Sequence, residues 1–273
     1  MPEVVERNGE VGGVGAHWRE APAGRPAPIL YLHGVPSASC DWLPFLERTG
    51  GVAPDLPGFG GSEKRPDFDY SIAGFDRWIE AFVEAAGLDR LSLVVHDWGS
   101  VGLAFAQRFP ERIERLVLLN CVPFLPGYRW HWVARIWRTP VLGELFNATS
   151  TKWAFKQVSR QSNARPGPLP DEWLDRFWPD YDRGTRRAIL RLYRSSPPDE
   201  LVRAGRQLGT LHCPALILWG TRDPYIEARF GQLHADALGG EVQLETFEDA
   251  GHWPWLDRPD VIDRIAEFLQ AAS

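Results

Sequence analysis

The sequence contains little cysteine and no pattern typical of a metal site. Its 273 residues include three cysteines, at positions 40, 121 and 213, without a Cys-x-x-Cys pair. This odd number, widely spaced, indicates neither a disulfide framework nor a zinc ribbon. No histidine spacing with a further carboxylate suits a metal ion. We therefore expect free thiols and a reducing compartment, the cytoplasm.

Targeting and membrane segments are also missing from the sequence. Residues 1–7 are mixed and acidic, without the basic and apolar regions of a secretory signal. The longest apolar run, around residues 116–126, is interrupted by Asn120 and two prolines, and it is shorter than the roughly 18–20 residues that span a membrane. The sequence predicts a cytoplasmic protein with no membrane partner.

Positive charge is scarce outside one segment. The net charge is -6, but residues 122–212 contain 15 basic and 8 acidic residues, a local charge of +7, which leaves -13 for the remainder. Acidic flanks and the lack of a nucleic-acid motif argue against nucleic-acid binding. The asymmetry favours two packed parts with complementary surfaces.

Short apolar runs alternate with helical patterns along the rest of the chain. Buried strands are predicted at residues 29–32, 91–95, 116–121 and 215–219, and a weaker one at 241–247. Amphipathic helices are predicted at Ser71 to Gly87 and at Val261 to Leu269. This alternation is typical of an α/β fold with a mostly parallel sheet covered by helices on both faces.

One interval lacks a convincing strand. Residues 122–212 lie between two predicted sheet strands and carry six of the 13 tryptophans. An insertion at the carboxyl edge of a parallel sheet lies where ligands bind. We interpret it as a helical cap, inserted into a core formed by residues 1–121 and 213–273.

Three residues at strand ends are candidates for catalysis. Asp97 stands in Val95-His96-Asp97-Trp98-Gly99, where a strand runs through a glycine turn into a helix, as in a nucleophile elbow with aspartate in place of serine. Alone, Asp97 could equally be a helix cap. Asp223 follows a later strand, and His252 precedes the last helix. This chain order of nucleophile, acid and histidine is hard to explain by packing.

A further segment, His33-Gly34-Val35-Pro36, completes the pattern. With it, the sequence resembles the α/β-hydrolase superfamily over essentially its whole length, and within it the Asp-nucleophile branch of epoxide hydrolases and haloalkane dehalogenases. The resemblance implies an α/β-hydrolase fold and an oxyanion hole formed by the backbone N–H groups of Val35 and Trp98. Asp97 would form an ester with a small apolar electrophilic substrate, and His252, oriented by Asp223, would activate water. No cofactor is implied, and the chain is expected to be a monomer or a homodimer.

The leaving group depends on the cap. Tyr193, followed by Arg194, is similar to a cap tyrosine that protonates the epoxide oxygen in epoxide hydrolases, and Tyr128, Tyr181 or His131 are candidates for a second acid. Dehalogenases hold the halide with N–H donors, here Trp98 with Trp153, Trp137 or another cap tryptophan, because Val35 replaces the asparagine that some of them use. On Tyr193 and Val35 we favour an epoxide hydrolase. A haloalkane dehalogenase is the alternative, and a non-catalytic ligand-binding protein is the alternative of another class.

Overall fold

The computed structural model of the protein describes residues 3–24 and 27–271. Its centre is a sheet of eight strands in the order β1-β2-β4-β3-β5-β6-β7-β8. Strands β1, β2 and β4 pair antiparallel, and all other neighbours are parallel. The strands are β1 (Val5–Val11), β2 (Val14–Ala21), β3 (Ile29–Leu32), β4 (Gly51–Pro54), β5 (Leu91–His96), β6 (Ile113–Leu119), β7 (Ala215–Gly220) and β8 (Val242–Phe247).

Twelve α-helices are present in the described ranges. They are α1 (Leu43–Thr49), α2 (Ile72–Ala85), α3 (Gly102–Arg108), α4 (Trp132–Arg138), α5 (Leu142–Ala148), α6 (Lys152–Val158), α7 (Asp171–Phe177), α8 (Arg183–Ser195), α9 (Pro198–Ala204), α10 (Arg229–Ala237), α11 (Pro254–Asp257) and α12 (Asp260–Gln270). Within 3–24 and 27–271, no helix combines the length and the apolarity needed to cross a membrane.

The predicted α/β fold is confirmed. Strands β3, β5 and β7 are buried along their whole length, as expected for parallel strands covered on both faces. Helix α2 begins where the sequence predicts, because the Ser71 side chain accepts a hydrogen bond from the Gly74 N–H. Strands β1, β2 and β4 were not predicted. The strand predicted at 116–121 ends at Leu119 instead, because Asn120 adopts a left-handed backbone conformation with φ of 33°.

Six helices, α4 to α9, lie between β6 and β7, and we refer to residues 122–212 as the cap segment. The division of the chain into a core and a cap at these residues stays a prediction, and residues 1–2, 25–26 and 272–273 of the predicted core lie outside the described part. Cap and core pack differently from our expectation of complementary charged surfaces. Among the residues that the structure describes, an ion pair joins Lys64 of the core to Asp182 of the cap segment, which is opposite to the overall charges. Guanidinium groups of the cap segment instead donate to core carbonyls, as Arg187 does to Lys64.

Candidate active site

The nucleophile elbow forms where β5 ends. Asp97 opens a 3₁₀ turn and has a φ of 47°, a left-handed conformation that is strained for a residue with a side chain. The turn passes close to β3, since a Cβ on Gly99 would lie 2.0 Å from the Leu32 carbonyl oxygen. Asp97 does not serve as a helix cap. Its Oδ2 accepts a hydrogen bond of 2.8 Å from the Val35 N–H on the neighbouring loop.

The proposed oxyanion hole and the candidate nucleophile lie together. Both the Val35 and the Trp98 backbone N–H groups stabilise the Asp97 carboxylate. Burial raises the pKa of Asp97 above its usual value of 3.8, although these amides and the nearby His252 favour the ionised form. The predicted positions of Val35 and Trp98 beside Asp97 are therefore matched by geometry suited to an oxyanion on Oδ2.

His252 and Asp223 form the second half of the site. His252 Nδ1 lies 2.8 Å from Asp223 Oδ2, and His252 Nε2 lies 3.9 Å from Asp97 Oδ1. The other Asp223 oxygen accepts from the Tyr225 and Ile226 N–H groups at 2.7 and 3.1 Å. Burial lowers the pKa of His252, but the carboxylates of Asp223, Asp97 and Asp41 together raise it, so that it lies above 6.5. The arrangement suits a general base whose tautomer is fixed by the acid.

Asn120 supports this pair and was not predicted. Its Nδ2 donates to Asp223 Oδ2 at 2.8 Å, and its Oδ1 accepts from the Gly220 N–H at 2.8 Å. The residue follows a buried strand at the carboxyl edge of the sheet, where a polar side chain is a signal of function. That signal could have identified Asn120 from the sequence.

A cavity of about 110 Å³ lies over the candidate nucleophile. Val35, Asp97 and His252 line it from the core, and side chains of α4, α5, α6 and α8 line it from the cap segment. Most of the lining is apolar. Tyr225 also lines it and was not predicted, although it lies two residues after Asp223. Its ring packs edge to face on His252, with centroids 4.9 Å apart.

The predicted cap residues fall into two groups. Tyr193 and Tyr181 line the cavity, and the Tyr193 ring packs edge to face on Trp98, with centroids 5.3 Å apart. Burial and the Asp97 charge hold the pKa of Tyr193 well above its usual value. Tyr128 is buried but does not line the cavity, and its hydroxyl donates to the Tyr225 carbonyl at 3.4 Å. The structure thus brings Tyr193 to the site and places Tyr128 outside it.

The tryptophans that were expected to donate to a halide differ in their position relative to the cavity. Trp153 is 71% exposed and lies outside the cavity, so its predicted role is wrong. Trp137 lines the cavity, but its Nε1 donates to Asn147 Oδ1 at 2.8 Å. Trp98 is fully buried and does not itself line the cavity. Its Nε1 makes no hydrogen bond of normal length among the described residues, but the indole favours the ionised form of the Tyr193 hydroxyl, so the two groups lie near each other.

The described ranges contain no candidate metal site. Across residues 3–24 and 27–271, no group of three or more histidine, cysteine, aspartate or glutamate side chains is placed to hold a metal ion. The cysteines Cys40, Cys121 and Cys213 are free thiols.

Comparison with known proteins identifies relatives with the same overall organisation. The chain is 32% identical to the haloalkane dehalogenase of Mycolicibacterium paratuberculosis over 275 residues, which cover 92% of this chain and 86% of that protein. It is 34% identical to haloalkane dehalogenase 1 of Mycobacterium tuberculosis over 269 residues, which cover 89% of this chain and 84% of that protein.

Solved structures establish the shared fold. The haloalkane dehalogenase DbeA from Bradyrhizobium elkani superimposes with a TM-score of 0.83 at 23% identity, covering 98% of both chains. The epoxide hydrolase CorEH superimposes with a TM-score of 0.82 at 20% identity, covering 98% of this chain and 99% of that one. The sequence profile of the alpha/beta hydrolase fold family matches residues 27–259. The chain therefore belongs to the α/β-hydrolase family, in its Asp-nucleophile branch, and it is a hydrolase.

Proposed function

We propose that this hydrolase is a haloalkane dehalogenase, which acts on small apolar substrates with a halide bound to a saturated carbon. The observation that carries the proposal is the similarity, at 32% and 34% identity over 92% and 89% of this chain, to mycobacterial proteins named haloalkane dehalogenases. The Trp98 indole supports the same function, because it is buried on the residue that directly follows Asp97 and packs against Tyr193 of the cavity wall. This reverses the order that the sequence favoured.

In the first step, the Asp97 carboxylate attacks the substrate. The Val35 amide holds Oδ2, and Oδ1 is free of this contact, which leaves Oδ1 as the attacking atom. A new bond forms between Oδ1 and carbon, while the carbon–halogen bond breaks and its electron pair leaves with the halide. Because a carboxylate needs no base to be nucleophilic, this step makes no demand on His252.

In the second step, water hydrolyses the ester. Neutral His252 takes a proton from the water, which attacks the Asp97 carbonyl carbon, and the negative charge develops on Oδ2 beside the Val35 and Trp98 amides. Collapse of the tetrahedral intermediate breaks the bond between Cγ and Oδ1, and protonated His252 gives its proton to the departing oxygen, which leaves as the alcohol. Ionisation of the new carboxylic acid releases one proton and restores the carboxylate. The overall products are an alcohol, a halide ion and a proton.

Epoxide hydrolysis is the second candidate, and Tyr193 is the observation that favours it. Its hydroxyl-bearing ring lines the cavity against Trp98, where it could donate a proton to an epoxide oxygen. Ring opening needs this proton because an alkoxide is a poor leaving group, whereas a halide leaves as a stable anion. Tyr193→Phe therefore separates the two functions, since it should impair diol formation but spare halide release.

A paired assay tests the proposal. Purified protein should release bromide from 1-bromobutane and 1,2-dibromoethane, and Asp97→Asn should abolish the release. Asp199→Asn, which changes an exposed carboxylate of α9, is the matched control and should retain full activity. Diol from styrene oxide or cyclohexene oxide without bromide would instead establish the epoxide hydrolase. Neither product, with ligand still bound, would favour the non-catalytic binding protein.

A further inference from the structure

His131 carries an N–H donor that the chain fixes in a single orientation. The residue caps helix α4, and its Nδ1 accepts a hydrogen bond of 3.3 Å from the Ala134 N–H. A ring nitrogen that accepts from an amide carries no proton. The neutral ring must therefore carry its proton on Nε2, and helix α4 selects this tautomer.

The ring of His131 also stays neutral. Burial, reinforced by the charge of His252, lowers the pKa of His131 to about 3. At neutral pH the imidazole therefore offers an N–H to a ligand but has no proton to transfer. Such a group suits an anion that leaves without protonation, as a halide does, better than an alkoxide.

His131 lies near both halves of the site. It lines the cavity that contains Asp97. Its ring lies 4.8 Å from that of Tyr225, which packs on His252, and 6.4 Å from that of Tyr193, which packs on Trp98. Among the residues that the structure describes, none forms a hydrogen bond with Nε2.

From these observations, and resting on the proposed function, we infer that His131 Nε2–H is a hydrogen-bond donor to the leaving halide in the cavity over Asp97. The effect of such a donor is large, because removal of a single donor to a developing charge typically costs about 10²–10³ in rate. Two cap indoles considered for this role do not serve, since Trp137 donates to Asn147 and Trp153 is exposed. His131 would contact the halide directly and would thus be a catalytic residue from the cap segment.

Two substitutions separate the two nitrogens of the ring. In His131→Asn, the side-chain oxygen can still accept from the Ala134 N–H, but nothing replaces Nε2. In His131→Gln, the longer amide places an N–H near the former Nε2 but gives up the close approach to Ala134. If His131 only caps helix α4, His131→Gln should reduce activity more than His131→Asn. If His131 donates to the halide, His131→Asn should reduce activity more.

The direct readout is bromide binding, measured by calorimetric titration of each purified variant with sodium bromide against a sodium sulfate background of equal ionic strength. We expect His131→Asn to weaken bromide binding about 10-fold or more, the effect of losing one hydrogen bond to an ion, and His131→Gln to stay within about 3-fold of the wild type. His131→Ser, which also retains a cap acceptor, should behave as Asn does and provides the same test if Asn fails to fold.

Turnover gives an independent readout. The kcat/KM of His131→Asn should fall more for a chloroalkane than for the matching iodoalkane, because chloride is the poorer leaving group and the stronger hydrogen-bond acceptor. Equal losses for both halides, or bromide binding unchanged in Asn and Ser, would overturn the inference. Failure of the proposed function looks different, since the wild type would then bind bromide through His131 but release none from haloalkanes. A wild type that binds no bromide overturns the inference as well.

Discussion

At the scale of single residues, Asp97 divides its two carboxylate oxygens between two tasks. Oδ2 lies 2.8 Å from the Val35 N–H, while Oδ1 faces His252 Nε2 at 3.9 Å. The oxygen that attacks the substrate is thus separated from the oxygen that later carries the oxyanion charge. Holding Asp97 at a positive φ costs on the order of 1–3 kcal/mol. In exchange, the Asp97 side chain is oriented for both steps and need not move between them.

The pH dependence of ester hydrolysis follows from the contact between His252 and Asp223. His252 must be neutral to accept the proton of water, and the carboxylates around it, first of all Asp223, raise its pKa. Activity should therefore fall as pH drops through the pKa of His252. In Asp223→Asn the pKa of His252 should be lower, so the acid limb should move to lower pH. The plateau rate should also fall, by about 10²–10⁴-fold, because the ring loses its orientation.

Turnover measured as a function of pH checks this prediction. Asp249→Asn is the control, because Asp249 is a surface carboxylate three residues before His252 that pairs with Arg258. Its acid limb should coincide with that of the wild type. An acid limb that stays in place in Asp223→Asn would show that a group other than His252 sets it.

At the scale of elements, the site depends on how closely the elbow approaches the loop after β3. A Cβ on Gly34 would lie 2.6 Å from the Asp97 Cβ, and a Cβ on Gly99 would meet the backbone of Leu32. Glycine at these positions lets the oxyanion loop and the elbow come within hydrogen-bond distance of each other. The glycines therefore set the distance between Val35 and Asp97.

Gly99→Ala tests this packing. The added methyl group would lie 2.0 Å from the Leu32 carbonyl oxygen, which belongs to the central sheet and has little freedom to move. We expect the free energy of unfolding to fall by about 3 kcal/mol or more, the range of severe backbone clashes. Gly24→Ala is the control, because a Cβ there meets nothing within 4 Å; its effect should be within about 0.5 kcal/mol. Equal urea denaturation midpoints for the two variants would contradict the prediction.

At the scale of the whole molecule, the parts that the sequence predicted are those with strong local patterns. Strands β3, β5 and β7 are continuous apolar runs because both faces are covered, and their ends identify Asp97 and Asp223. Strand β1 is an exposed edge strand with charged side chains, so its pattern was not recognised. The short β4, Gly51–Pro54, begins with glycine and ends with proline, which are typical of turns.

The contribution of the cap segment depends on tertiary packing that local patterns do not encode. Trp153 and Trp137 are similar in sequence terms, but one is exposed and the other is bound to Asn147. His131 lines the cavity from the start of a helix of only seven residues, and a histidine cap is a weak sequence signal. The leaving group that these cap side chains can stabilise depends on their positions, which the sequence alone does not give.

The most direct test of the account is to trap the ester on Asp97. His252→Gln should still displace halide from 1-bromobutane but should be unable to activate water, so the ester should accumulate. We expect mass spectrometry of the digested protein to find one butyl group on the peptide that contains Asp97, with about one bromide released per chain. Continued turnover without an adduct, or a butyl group on a different residue, would contradict the mechanism.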